Sequence, residues 1–345
     1  MKILIEAHHP GDIHFWKYPI RELIDRGHEV RMVARDRDVM RALVEAYSWI
    51  PHIIPPRASQ NNKFPLIEML SRQWTLAREI VRFRPDIVSS LFGSYCQSAR
   101  LLGCQNIIFT DSEFQHFNHK IAHPFAHAVH TPYCFYKDLG AKQIFYRGLH
   151  EMAFLAPLRF TPDTSVLGGE SGLIKGQYIV IRLSAWNTLH DINQSGIGTM
   201  VDEFIERYKE RYRIVICAEE NALPQHLQQH AMQLPPEKFH DVLAFARFVL
   251  TEGASTASEA ACLGIPTVYI NSTEPRGYLQ MLEKDWGLVR NFEHPKPGLA
   301  CATEWLSHID EDALVNYQEI RKKLFDAHDD VVDYVVEVFE MAFEK

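Results

Sequence analysis

The chain has 345 residues, enough for two domains that each bury a core. Its 44 acidic side chains outnumber 36 basic ones, and a net charge of −8 excludes the basic footprint of a nucleic-acid reader. The 46% hydrophobic and 23% charged fractions are those of an ordinary globular protein rather than a disordered chain.

The opening run, MKILIEAHHPGD, meets Glu6 and two histidines too soon for a secretory leader, and no stretch approaches the roughly 20 apolar residues of a membrane span. A cytoplasmic protein is expected, with room for peripheral contact at a membrane surface. The apolar run Lys2–Ala7 suits a buried parallel strand, a helix follows over 14–26, and Glu29–Ala34 is the next strand. Helix 36–47 with Asp36 as N-cap, strand 52–54 and a polar loop 57–63 come next. Helix 66–83 stops before Pro85, and Met69, Trp74 and Phe83 on it read as core. Strand 86–91, helix 94–102, strand 106–110, a short helix 123–128, strand 128–130, helix 133–139 and strand Gln143–Tyr146 complete the first half.

Residues 161–176 are rich in Gly, Ser and Asp and read as a linker. The alternation restarts with strand Tyr178–Leu183, helix 196–212, strand Arg213–Ala218, helix 224–233, a helical piece 242–245 and strand Phe248–Thr251. Helix 255–263, strand 267–271 and helix 279–284 follow, and 311–344 is helical. Strands alternating with helices imply parallel sheets with right-handed crossovers, hence two doubly wound Rossmann-like domains facing a central cleft. The expected divisions are 1–160, the linker, 177–325, and a C-terminal helix 326–345 packing back on the first domain.

The strongest local signal is FVLTEGASTASEAACLGIPTVYIN, residues 248–271. A buried strand runs through Gly253, read as the residue that permits a tight turn, into a helix beginning near Ser255. A helix N-terminus offers unpaired N–H groups and a dipole that favours an anion. Ser255 and Thr256 add hydroxyls, and Glu259 sits one turn in, where a carboxylate can accept from the two hydroxyls of a ribose. The competing reading is an ordinary strand–turn–helix with Ser255 as N-cap.

This order of features resembles the nucleotide-binding half of B-type-fold glycosyltransferases and of UDP-N-acetylglucosamine 2-epimerases: Gly253, Glu259, Ala260-Ala261, Gly264-Ile265-Pro266 and the strand after them. The resemblance implies diphosphate contact at Ser255 and Thr256 and ribose contact at Glu259. The loop Thr273-Glu274-Pro275-Arg276 departs from the epimerase pattern in the order of Pro and Arg. The segment 2–38, with 111–113, 182–191 and 251–271, resembles domain of unknown function 354, whose members are expected to share the two-domain transferase fold.

Residues at strand ends supply candidate chemistry. His8, His9, Asp12 and His14 follow the first strand. Histidine suits a general base near neutral pH, His14 stands where related transferases keep one, and Asp12 fits either a base or a helix cap. Asp111 and Glu113 end another strand; paired carboxylates can divide into acid and base, and Glu113 loosely matches a catalytic Glu of the epimerases. Arg182 ends the first strand of the second half and suits bidentate diphosphate contact. Trp186, His190 and Asp191 follow it, Ser94 lies at a further strand end, and Lys63 and Phe64 are placed to touch a lipid-linked acceptor. Local packing, caps and salt bridges are the competing readings for all of them.

No HExxH or CxxC spacing and no strand-end Asp-x-Asp occurs, so no metal and no cofactor are expected; Asp36-Arg37-Asp38 opens a helix. The expected activity is metal-independent transfer of a sugar from a nucleoside-diphosphate sugar, UDP favoured, to a glycan or lipid-linked acceptor in surface-polysaccharide synthesis. A 2-epimerase-like enzyme and a non-catalytic nucleotide-sugar binder remain open. The sequence sets no oligomeric state.

Overall fold

The structure, a computed structural model, describes the chain apart from residues 37–38, 56–64, 94, 170, 184–196, 198–199, 219–222, 233 and 345 and the side chains of 65–72. The chain divides into two compact units, Met1–Phe154 with Asp329–Lys345, and Leu155–His328. Residues 155–160, expected in the first domain, and 326–328, expected with the C-terminal helix, therefore belong to the second unit.

The first unit runs β1 (Lys2–Ala7), α1 (Pro10–Asp25), β2 (Glu29–Ala34), α2 (Met40–Ala46), β3 (His52–Ile53), α3 (Pro65–Phe83), β4 (Ile87–Ser90), α4 (Cys96–Leu101), β5 (Gln105–Phe109), α5 (His116–Ile121), β6 (Ala128–Pro132), β7 (Gln143–Tyr146) and α6 (Met152–Leu155), the last residue of which belongs to the second unit. Its seven-stranded sheet has the order β3-β2-β1-β4-β5-β6-β7, parallel throughout. The β1 run ILIEA is buried on both faces, as a central parallel strand must be. Ile3 pairs with Val30 on one side and Ile87 on the other.

The second unit runs β8 (Tyr178–Leu183), α7 (Met200–Tyr208), β9 (Arg213–Ala218), α8 (Phe239–Ala244), β10 (Phe248–Thr251), α9 (Ala254–Cys262), β11 (Thr267–Ile270), α10 (Gly277–Lys284), β12 (Val289–Phe292), α11 (Pro295–Ser307) and α12 (Glu311–Asp326). Its five strands are also parallel, in the order β12-β11-β10-β8-β9. The chain ends in α13 (Val331–Phe343), which belongs to the first unit. There Phe339 stacks on Trp16 at 6.0 Å, and the Tyr334 hydroxyl lies 2.7 Å from His130 Nδ1.

Several elements differ from expectation for local reasons. Helix α2 starts at Met40 with Val39 as its N-cap, and the expected cap Asp36 accepts from Arg41 at 3.0 Å. Residues 133–139 are turns rather than helix: the Gln143 side chain accepts from Leu139 N and donates to the Lys137 carbonyl, taking groups a helix would pair internally. The helix expected over 224–233 is a 3-10 turn, Gln225–His230. The single C-terminal helix is two, since Asp330 Oδ1 accepts from Val332 N and Asp333 N and starts α13 afresh. Phe83 is core, but Trp74 is 74% exposed, because it lies on the face of α3 opposite Leu76 and Ile80. Strand β12 and helices α5 and α11 have no counterpart in the sequence reading.

All six cysteines are free, and burial pushes the thiols of Cys96, Cys134 and Cys217 up. Among the described residues no helix is long and apolar enough to cross a membrane.

Candidate functional site

A parallel sheet brings the carboxyl ends of all its strands to one edge, where ligands of such folds bind. In the first unit, β1 leads there directly into α1. Pro10 starts that helix, and His9 and Asp12 close a capping box around it. Asp12 Oδ2 accepts from His8 N at 2.7 Å and His9 N at 3.3 Å, while His9 Nδ1 accepts from Gly11 N at 3.3 Å. Asp12 is buried, and burial, helped by repulsion from Glu6 and Asp111, raises its pKa to about 7 against the pull of the two amides. His8 Nε2 stands 2.7 Å from Glu6 Oε1, and its ring lies 5.2 Å from that of Phe92. His14 is inside α1, buried between the rings of Phe154 at 5.5 Å and Tyr47 at 6.1 Å.

Strand β5 ends at Phe109, so Asp111 and Glu113 are not successive same-face residues of a strand. Asp111 is partly exposed. Its Oδ2 lies 3.3 Å from His150 Nδ1, and its Oδ1 accepts from Ser112 Oγ at 2.9 Å. His150 follows β7 and is packed against Phe15 and Tyr146. Burial lowers its pKa, with the charge of Asp111 opposing. Glu113 is buried, and its carbonyl accepts from Lys137 Nζ at 2.9 Å. Burial pushes the Cys134 thiol up, and the charges of Glu113, Asp111 and Glu151 add to the rise.

In the second unit, β10 enters α9 through Glu252 and Gly253. Gly253 is the N-cap with φ −88°, and among the described residues no side chain caps the helix. A Cβ there would meet Thr251 Oγ1 and Thr256 Oγ1 at 3.5 Å and Arg182 Cγ at 3.7 Å, all ordinary contacts. The turn therefore does not demand glycine, contrary to the sequence reading, but it gathers Arg182, Gly253 and Thr256. Arg182 is opposite Thr251 in the β8–β10 register, and its carbonyl accepts from Glu252 N at 3.0 Å. Ser255 is exposed and second in the helix, so it is not the cap. Glu252 holds the turn: its Oε1 accepts from Ile197 N at 2.5 Å and its carbonyl from Asn271 Nδ2 at 2.8 Å.

Glu259 Oε1 lies 3.3 Å from Nε2 of His240 on α8, and both side chains are buried. The far end of α9 closes on Gly264 at φ +73°, with Gln318 Nε2 donating to the Leu263 carbonyl and Arg321 Nε to the Cys262 carbonyl. Arg276 is turned back on its own loop, bonding the Glu274 carbonyl and Thr273 Oγ1.

Ser94, Trp186, His190, Asp191, Lys63 and Phe64 lie outside the described residues. Sequence reasoning missed Glu6, His150 and His240. The rule that found Asp111 would have found His150, which also stands just past a strand end; His240 is on a helix and carries no such signal. Among the described residues no group of three or more His, Cys, Asp or Glu could hold a metal ion.

The chain is similar to solved structures over nearly its whole length. The UDP-GlcNAc 2-epimerase of Neisseria meningitidis bound to UDP-GlcNAc is 11% identical, with 99% of this chain and 100% of that one covered and a TM-score of 0.65. The Methanocaldococcus jannaschii UDP-GlcNAc 2-epimerase in complex with UDP-GlcNAc and UDP is 12% identical, with 90% and 94% covered and a TM-score of 0.68. The glycotransferase of kitacinnamycin is 13% identical, with 99% of each chain covered and a TM-score of 0.62. Such identities show the fold: two parallel-sheet α/β domains of the type shared by B-type glycosyltransferases and these epimerases. No curated protein matches the chain. Residues 1–290 match the family described as Protein of unknown function (DUF354), and the chain belongs to that family.

Proposed function

We propose that the protein transfers a sugar from a nucleoside-diphosphate sugar, with UDP the favoured nucleotide, to a hydroxyl of a glycan or lipid-linked acceptor, without a metal ion. The observation that carries the reading is the α9 N-terminus, which no side chain caps among the described residues, standing beside Arg182 with Thr256 at its first turn. The amides of Ala254–Thr256, the dipole and the guanidinium take the diphosphate. Glu259, whose Oε1 lies 3.3 Å from His240 Nε2, accepts from the ribose hydroxyls.

In the transfer, the acceptor oxygen bonds to the anomeric carbon as the bond from that carbon to the diphosphate oxygen breaks. The electron pair leaves on the diphosphate, whose growing charge the helix terminus and Arg182 stabilise. The acceptor proton passes to a base. Asp111 is our assignment, because Ser112 Oγ donates to one of its oxygens and His150 Nδ1 lies 3.3 Å from the other while it stays partly exposed.

A 2-epimerase-like reaction is the second reading. It is favoured by Asp12, whose buried carboxyl is raised to about 7 and so holds its proton part of the time near neutrality, with the charges of Glu6 and Asp111 adding to the rise. Incubation with UDP-, GDP- and CMP-sugars, with and without glycan and polyprenyl-phosphate acceptors, separates the readings. Acceptor-dependent release of free nucleotide supports transfer. A changed sugar still attached to its nucleotide replaces transfer with epimerisation, and tight binding without turnover of any donor removes both.

A further inference from the structure

We propose that the outer surface of α3, α4 and α5 in the first unit docks on an anionic lipid bilayer. These helices form one face. Ser98 Oγ of α4 donates to Gln73 Oε1 of α3 at 2.7 Å, and Gln97 Nε2 donates to the carbonyl of Ile121 at the end of α5 at 2.7 Å. Leu76, Ile80, Tyr95, Ala99 and Ala122 lie in the core beneath them.

Away from that core the same helices leave large apolar side chains in water. Trp74 is 74% exposed, Leu101 87%, Phe117 58%, Ile121 45% and Phe125 45%. Phe117, Ile121 and Phe125 recur every four residues along α5 and the turn after it. A protein gains nothing by holding these apolar side chains in water, and exposed apolar patches mark interaction sites.

The charge around the patch selects the partner. Over residues 73–84, α4 and 116–125, every exposed Asp, Glu, Lys or Arg among the described residues is cationic: Arg78, Arg82, Arg84, Arg100 and Lys120. The one acid there, Glu79, is buried, and the nearby Asp86 accepts from Lys2 N at 2.6 Å. The whole chain carries −8, so a face of one positive sign runs against its average. A second copy of the chain would bring like charges together. An anionic bilayer meets both features, headgroup phosphates for the cations and an acyl boundary for the aromatic and aliphatic side chains.

Docking needs no sugar nucleotide and stands apart from the transferase reading; it rests on that reading only in pointing to a lipid-linked acceptor, since α5 follows Asp111 and Glu113 directly in the chain. The test is flotation of the full chain with vesicles of phosphatidylcholine alone or containing phosphatidylglycerol. The protein should float only with the anionic vesicles, and added salt should release it. The Phe117→Ser/Phe125→Ser and Arg78→Glu/Arg82→Glu variants should each lower partitioning at least about tenfold, with the melting temperature and the thermal shift given by UDP-sugar unchanged. Val315→Ser, at an exposed position of the second unit, should float as the parent does.

Equal binding to both vesicle types, no binding, or unchanged partitioning of both double variants overturns the proposal. So does a concentration-dependent dimer that the same variants abolish while vesicle binding is absent. Should a double variant lose its melting transition, Trp74 emission decides, obtained by subtracting the Trp74→Phe spectrum: a blue shift on adding anionic vesicles supports docking and its absence overturns it.

Discussion

Asp111 and His150 meet at 3.3 Å although they follow different strands, β5 and β7, with β6 paired between them. The sheet brings the pair together. The phenyl ring of Phe15 and the phenol of Tyr146 keep the imidazole dry, and burial keeps it neutral.

Replacing the base removes proton transfer but not donor contacts. Asp111→Asn should lower kcat by about 10²- to 10⁴-fold with the calorimetric affinity for UDP-sugar unchanged. His150→Gln, which keeps a donor but loses the ring, should lower kcat less and leave KM for the donor alone. Equal kcat in Asp111→Asn and the parent would remove Asp111 from the chemistry.

His14 tests the competing assignment. His14→Ala should spare donor binding. Because the ring is buried between Tyr47 and Phe154, the substitution should also cost about 1–3 kcal/mol of stability, a transfer-plus-cavity effect. Denaturant unfolding measures that cost. A much larger drop in turnover than in Asp111→Asn would move the base to His14.

Glu259→Ala should weaken UDP-sugar binding by about 1–3 kcal/mol through lost hydrogen bonds to a charged acceptor. His240→Ala should weaken it less, acting through the position of Glu259. Isothermal titration reads both, and an unchanged dissociation constant in Glu259→Ala refutes the ribose contact.

Asp12 makes stability depend on pH. Its folded pKa of about 7 lies above its ordinary value of 3.8, so between those limits the native state holds more protons than the unfolded chain. Its contribution is present at low pH and is lost as pH rises toward 7, by on the order of 2–4 kcal/mol. The unfolding free energy of the parent should therefore fall relative to that of Asp12→Asn from pH 4 to 7 and run parallel to it above. A difference that stays constant over that range would show the carboxyl to be ionised throughout.

Gly264→Ala should destabilise the second unit. At φ +73° a side chain is strained, and the new Cβ would sit 2.7 Å from Gln318 Nε2 and 3.1 Å from Arg321 Cβ. Gln318 can swing aside but the Arg321 Cβ is fixed by α12, so a cost of about 1–3 kcal/mol is expected, read as a lower thermal midpoint. An unchanged midpoint would mean that α12 shifts freely against α9.

The sequence by itself determined the alternation of strands and helices, because burial on both faces writes a continuous apolar run such as ILIEA or IVIRL, and because a strand, a short turn and a small-residue helix at 248–262 are specified by neighbouring residues. It also located Asp111 and Arg182, which stand at or just past strand ends. Only the tertiary structure decided what these residues touch. His150 reaches Asp111 through the order β5-β6-β7, His240 reaches Glu259 from another helix, and Asp330 breaks the tail so that α13 joins the first unit. Local patterning records how deeply a residue is buried. Which distant side chain shares that burial depends on the crossovers that order the strands, and a Trp74 left in water shows that even an apolar position on an amphipathic helix is assigned its surroundings by the whole sheet.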